Sequence, residues 1–421
     1  MWLANAGAGA ATLAVPDGRY AVGVVRGEFT DASRTLEAGD LASGPRQLPA
    51  LVWYPAAGKP KGDSAYLQED AALTLEALTR NMGYAQADVQ ALTSTRLPVV
   101  SGAKPARTSR GFPILVFSHG YYLYPQQNSA LLARLASHGY IVVSIAHPGD
   151  AADVRLQDGR VIKTAPAPKD DDPKLIEAMQ TLMSSQEHAV RHAAVETFRR
   201  AAPRTRIGRS VVTWRDDTLA VAHAIQQGDA PRSLAKVLAT ANTARLAFIG
   251  MSFGGATSAT TCKRVLACKA VVNLDGQNFD PDLYDQPVQR PLLLLLSDWP
   301  RYPLFKGQAL DEAFSGNDLA YARWQDSASE TDVLRVRLAG ARHMGFTDLV
   351  SLLEGDKREA RVGQIEGAAA ESAIGDLVLA FLDTHLRDGS TSQIDRAIAD
   401  HPALQRHVPA QLQQWARRAG N

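Results

Sequence analysis

The chain has 421 residues, 45% hydrophobic and 21% charged, with a formal net charge of +1. That balance gives no field to draw in nucleic acid or an anionic membrane, and no apolar run reaches the roughly 18 to 20 residues of a spanning helix. A soluble globular protein with no nucleic-acid partner and no transmembrane segment is expected, and the length suits one α/β core carrying insertions without requiring a second full domain.

Residues 1–14, beginning Met1-Trp2-Leu3-Ala4, have a flexible composition and lack the basic stretch and apolar core of an intact signal peptide. Alternation near 20–28 and 48–54 predicts an antiparallel edge pair of strands. The stretches 113–118, 140–146, 245–250, 270–274, 291–297 and 333–338 read as strands covered on both faces. Helical periodicity falls at 129–137, 214–226 and 371–386, and residues 58–62 and 165–173 have loop composition. Residues 150–209 form a long, charged insertion with helical composition over 173–209, either a lid or a helical pair packed on the body. The expected architecture is an eight-stranded, mostly parallel sheet flanked by helices over 15–390, followed by a C-terminal helical extension over 391–421.

The apolar run Leu246-Ala247-Phe248-Ile249 leads directly into Gly250-Met251-Ser252-Phe253-Gly254-Gly255. A G-x-S-x-G match alone is weak in a chain with 32 glycines. Here a strand precedes it and the small residues Ala256-Thr257-Ser258-Ala259-Thr260 follow as a helix, the context of a nucleophile elbow on an α/β-hydrolase sheet. Ser252 is therefore the predicted nucleophile, with the Phe253 N–H and the helix dipole placed to stabilise negative charge on a substrate oxygen.

A serine hydroxyl needs a histidine base held in one tautomer by a carboxylate, and in this fold the acid and then the histidine follow the serine. The strand pattern 270–274 ends at Asp275-Gly276, which makes Asp275 the predicted acid. The alternating Val333-Leu334-Arg335-Val336-Arg337-Leu338 leads through Gly340 to His343, the predicted base. Asp348 is a rival acid. The strand at 113–118 runs into Ser118-His119-Gly120-Tyr121, where Gly120 allows close backbone approach, Tyr121 N–H is the second oxyanion donor and His119 shapes the loop by hydrogen bonding.

Phe117-Ser118-His119-Gly120, Leu135 to Val143, the Gly-x-Ser-Phe-Gly-Gly elbow, Leu274-Asp275-Gly276 and His343-x-x-Phe346-x-Asp348 together resemble the platelet-activating factor acetylhydrolase family. So do Gly18-Arg19-Tyr20-Ala21-Val22-Gly23 and Val52-Trp53-Tyr54-Pro55. The resemblance implies an α/β-hydrolase fold and a calcium-independent carboxylic ester hydrolase, with a triad of Ser252, Asp275 and His343 and oxyanion donors at Tyr121 and Phe253. It also implies short-chain acyl ester substrates, of phospholipids or of other alcohols. Two features depart from the family pattern: the long insertion, and bulky Tyr121 where an aliphatic residue is expected. Both bear on substrate and not on reaction class. A broad carboxylesterase or polyester hydrolase and a non-catalytic binding relative are the alternatives.

Trp299, Tyr302 and Phe305 follow the strand at 291–297, where α/β sheets place ligands, and either line an acyl pocket or pack the loop. Tyr122, Met344 and Phe346 are further candidates for the pocket wall. With no H-E-x-x-H and no clustered Cys and His spacing, no metal or cofactor is expected. Cys262 and Cys268 either form a disulfide joining the elbow helix to the acid's strand or remain two buried thiols. A disulfide would favour the periplasm or the exterior over the cytoplasm. Nothing in the sequence sets the oligomeric state.

Overall fold

A computed structural model describes residues 13–36, 44–166, 172–185, 187–276, 279–284, 286, 288–303, 312, 315–321 and 333–409. Its main strands are β1 (Ala21–Thr35), β2 (Pro45–Ala56), β3 (Val99–Ser101), β4 (Phe112–Ser118), β5 (Ile141–Ile145), β6 (Ala241–Met251), β7 (Cys268–Leu274), β8 (Leu292–Leu296), β9 (Val333–Leu338) and β10 (Leu404–Arg406). They form one sheet in the order β10-β9-β8-β7-β6-β4-β5-β2-β1-β3. From β5 across to β9 every neighbour is parallel. By contrast, β2 runs antiparallel to both β1 and β5, and β10 antiparallel to β9.

Among the described residues the sheet thus has ten strands where eight are expected. The two additional ones, β3 and β10, are three-residue edge strands, too short for an alternating pattern to register. Within residues 391–409 a helix at Ser392–Asp400 is followed by β10, which continues the sheet beyond β9; the rest of the expected C-terminal extension lies outside the described residues.

Alternation along the strands feeds two cores. Leu115 and Phe117 of β4 point to one face with Ala247 and Ile249 of β6, while Ile114 and Val116 point to the other with Leu246 and Phe248. Helices α1 (Ala71–Met82), α2 (Ser129–Ser137) and α7 (Gly367–Leu386) cover the first face. Helices α3 (Pro173–Ser184), α4 (His188–Ala201), α5 (Arg206–Gln227) and α6 (Phe253–Cys262) contribute to the second. The inserted helices α3 and α4 bury Leu175, Leu182, Val195 and Phe198 in that core, each worth about 1.5–3 kcal/mol on removal from water.

Local chemistry sets their ends. Asp172 accepts from Lys174 N ahead of Pro173, which starts α3 with the preset φ of a first-turn proline. Thr205 caps α5 by accepting from Gly208 N, and Gly228 ends it in the left-handed conformation. None of the helices in the described residues is long and apolar enough to cross a membrane.

Cys262, the last residue of α6, and Cys268, the first of β7, are joined by a disulfide. Closing so short a loop stabilises the fold by roughly 2 kcal/mol through the unfolded chain. Replacing both cysteines with serine is expected to lower unfolding free energy by about that amount. Urea denaturation of the variant against the oxidised protein measures it, and equal midpoints would refute it.

Candidate active site

Three loops at the carboxyl edge of the sheet converge on one point. Ser252 joins β6 to α6 at φ 57° and ψ −126°, a conformation that costs a non-glycine residue about 1–3 kcal/mol. Neighbouring backbone holds it there: Ser252 N donates to Leu274 O at 2.9 Å, and Gly255 N donates to Ser252 O at 2.9 Å. The glycines are required by contact. A Cβ on Gly250 would lie 2.2 Å from Gly254 O, and one on Gly254 would lie 2.0 Å from Ser118 O.

Asp275 follows β7, also at positive φ, with its N–H bonded to Leu295 O at 2.8 Å. Its Oδ1 accepts from Ser297 N at 2.7 Å, which turns Oδ2 towards His343 Nδ1, also 2.7 Å away. His343 Nε2 then stands 2.8 Å from Ser252 Oγ. With Nδ1–H donated to the carboxylate, Nε2 is the acceptor facing the hydroxyl. Asp275 is buried while His343 keeps 28% of its side chain exposed, so the relay opens outward at the imidazole.

The histidine loop is pinned as firmly as the elbow. Asp298 Oδ2 accepts from Gly340 N at 2.8 Å, Asp298 N donates to Ala341 O at 2.9 Å, and Arg342 N donates to Val362 O at 3.0 Å. Asn273 does the same for the turn after Asp275: its Oδ1 accepts from Gly276 N at 2.6 Å and its Nδ2 donates to Tyr321 Oη at 2.6 Å. Neither Asn273 nor Asp298 follows from motif or spacing.

Beside Ser252 lies the loop after β4. A Cβ on Gly120 would come within 3.4 Å of Ser252 Cβ, so the backbone passes directly against Ser252. Gln127 Oε1 accepts from Gly120 N at 2.8 Å, and Tyr122 N donates to Asp150 O at 2.8 Å. The N–H groups of Tyr121 and Phe253 have no acceptor among the described residues. The Tyr121 side chain is tied back: its hydroxyl donates to Asp150 Oδ1 at 3.0 Å, and its ring packs on Phe253 and Trp214. Asp150 also accepts from Trp214 Nε1 at 3.1 Å and Arg206 Nη2 at 2.9 Å, both from α5.

Under this loop lies a second Ser-His-Asp chain. Ser118 Oγ donates to His147 Nε2 at 2.8 Å, and His147 Nδ1 donates to Asp217 Oδ2 at 2.9 Å. Arg46 grips Asp217 through two bonds of 2.6 and 2.7 Å and holds its carboxyl well below the usual range despite full burial. Ser118, His147 and Asp217 are wholly buried, so this chain fastens β4, β5 and α5 together and offers nothing to a substrate.

His119, also fully buried, donates from Nδ1 to Gly120 O at 2.7 Å, as expected of a residue that shapes the loop. Burial, reinforced by His147, lowers its pKa to about 3. The unfolded chain therefore takes up a proton at this site below about pH 6.5 that the folded protein refuses until about pH 3. Stability conferred by neutral His119 is complete above pH 6.5 and is lost as pH falls through that window, by up to about 1.4 kcal/mol per pH unit. His119→Gln is expected to flatten the pH dependence of the urea midpoint between pH 6.5 and 5. A slope unchanged from wild type would refute the assignment.

The remaining candidates divide. Tyr302 and Met344 line a cavity that reaches His343. Tyr122 sits at φ 64° with its ring edge-on to Tyr121. Trp299 and Phe346 are not among the described residues that line this cavity. Trp299 is 4% exposed, with its ring against His407, and Phe346 is 1% exposed in the core between sheet and α7. Their apolar area is buried in the two cores on either face of the sheet. Phe305 lies outside the described residues. The imidazole's Nδ1 is taken by Asp275 and not by Asp348, which is buried; burial raises its pKa well above normal, and its Oδ2 accepts from Ala130 N at 3.3 Å.

A mostly parallel sheet with a strained serine elbow after one strand and loops carrying the aspartate and histidine after later strands defines the α/β-hydrolase fold. The chain belongs to the platelet-activating factor acetylhydrolase, isoform II, family, whose model matches residues 51–401. It is 23% identical over 298 residues to the platelet-activating factor acetylhydrolase of Gallus gallus, a match covering 67% of this chain and 65% of that protein. The chain thus spans a little under two thirds of that relative's length. In structure it resembles a ferulic acid esterase from Streptomyces cinnamoneus, with a TM-score of 0.65 and 22% identity over 94% of this chain and 99% of the other.

Proposed function

We propose that the protein is a serine-dependent carboxylic ester hydrolase that works through an acyl-enzyme on small-molecule or lipid esters. The observation that carries this reading is the continuous relay from Ser252 Oγ through His343 to Asp275, with links of 2.8 and 2.7 Å, beside two backbone N–H groups. His343 takes the Ser252 proton as Oγ attacks the ester carbonyl, and the imidazolium is stabilised by Asp275. The amides of Tyr121 and Phe253 receive the oxyanion, a donor of this kind being worth roughly 10² to 10³ in rate. His343 then protonates the departing alcohol, and water, deprotonated by the same imidazole, releases the acid and restores Ser252.

Membership of a family named for an acetylhydrolase supports short acyl chains, and the ferulic acid esterase likeness in fold keeps a broader carboxylesterase in view. The disulfide supports function in an oxidising compartment, secreted or periplasmic. A fluorophosphonate probe is expected to label Ser252 stoichiometrically and abolish p-nitrophenyl acetate turnover. Mass spectrometry locates the adduct; absence of labelling in the folded protein would favour a non-catalytic binding role.

A further inference from the structure

A second cavity, of about 370 Å³, opens at the same edge of the sheet as Ser252 but on the far side of β5, where Gly27 of β1 and Ala50 of β2 lie level with Ile145. The N-terminal end of α1 and the segment from Ala152 to Gln157 complete its wall. None of Ser252, Asp275, His343, Tyr121 and Phe253 lines it. Its volume falls in the range of small-molecule sites, roughly 300–1,000 Å³.

Two carboxylates in the wall are matched in charge yet short of hydrogen bonds. Asp153, 4% exposed, accepts through Oδ1 from Arg80 Nη2 at 2.5 Å and Thr164 N at 2.9 Å, while its buried Oδ2 has no partner. Asp70, just ahead of α1, pairs through Oδ2 with Arg26 Nη2 and likewise leaves a buried Oδ1 without one. Glu28 of the same wall shows the ordinary case, one oxygen accepting from Gln47 Nε2 and the other from Gln157 N, both at 2.8 Å.

A buried acceptor with an empty lone pair destabilises the fold until a donor reaches it. Because a guanidinium already balances each aspartate, what the pair calls for is a neutral donor, which enters with less desolvation than an ammonium. Between the polar groups the wall is apolar, with Leu51, Tyr124, Pro125, Val154 and Leu156. Hydroxyls set around a compact carbon ring match that alternation, since the ring's C–H faces rest on the apolar side chains while its rim donates.

We propose that this cavity binds a neutral polyhydroxylated ring, a monosaccharide or cyclic polyol, whose hydroxyls donate to Asp70 and Asp153. The site is separate from the serine centre and stands whether or not the hydrolase reading does.

The test titrates the intact protein with D-glucose, D-xylose, L-arabinose and myo-inositol, followed by calorimetry. Cyclohexanol, a ring with a single hydroxyl, and cadaverine, a cation, are the comparisons. At least one polyol is expected to bind with Kd near or below about 1 mM, and about 10-fold more tightly than either comparison. Asp70→Asn keeps a side chain that suits a helix N-terminus but loses the carboxylate acceptor, and should weaken that polyol about 5- to 10-fold. Ser233→Trp places a ring at an exposed position on the cavity's rim and should block entry without disturbing the core. Saturating polyol should leave KM for p-nitrophenyl acetate unchanged.

No polyol binding at concentrations well above about 1 mM overturns the proposal. So does equal or tighter binding of cyclohexanol or cadaverine, or polyol binding that survives both substitutions. A competitive rise in KM would put the polyol at Ser252 instead, and would overturn the separate site while leaving the hydrolase reading intact. The wild-type titrations need no variant to fold, so the proposal can fail on them alone.

Discussion

Replacing Ser252 with alanine is expected to lower turnover of p-nitrophenyl acetate by about 10⁶-fold, because removing the nucleophile of such a unit disables the whole relay. The fold should survive, since alanine relieves none of the contacts that hold the elbow and Ser252 N still bonds Leu274 O. The informative control is Ser118→Ala. Ser118 belongs to a hydrogen-bonded chain of the same three residue types with the same spacing of about one hydrogen bond per link, yet it is fully buried and on an unstrained strand. Loss of Ser118 Oγ should cost about 1 kcal/mol of stability and leave most of the activity. Steady-state rates with circular dichroism on both variants settle it: an active Ser252→Ala enzyme, or an inactive but folded Ser118→Ala one, would reverse the assignment.

The second large effect concerns the acid. Asp275→Asn is expected to reduce kcat by about 10⁴-fold, because an amide beside Nδ1 stabilises the wrong tautomer and gives the imidazolium no counter-charge. Asp348→Asn should leave kcat within a few-fold of wild type. Its carboxyl is buried with its pKa raised well above normal, and an amide oxygen can still accept from Ala130 N. Measuring kcat for the two variants side by side distinguishes them, and a greater loss in Asp348→Asn would make Asp348 the acid.

What the chain discloses in advance is whatever has a local signature. The elbow is legible because any side chain at Gly250 or Gly254 would collide with neighbouring backbone, which leaves glycine in the sequence. Asp275 and His343 are legible through order, as polar residues that terminate buried apolar strands. Asn273, Asp298, Gln127 and Asp150 are not, because each acts on backbone brought near only by folding, from Gly276 three residues away to Gly340 at a distance of 42. Trp299 and Phe346 are ambiguous for the opposite reason. An aromatic residue beside a catalytic loop carries the same letter whether it faces substrate or core, and here burial of its area in the core prevails. The edge strands β3 and β10 escape notice because three residues cannot establish a period.

Asp150 carries a broader implication. Its carboxylate gathers Tyr121, Trp214 and Arg206, which means that the first residue of the long charged insertion grips the loop proposed to receive the oxyanion. Exchanging that segment between homologues to redirect selectivity would therefore slacken the chemistry as well, unless the aspartate and its tyrosine travel with the graft.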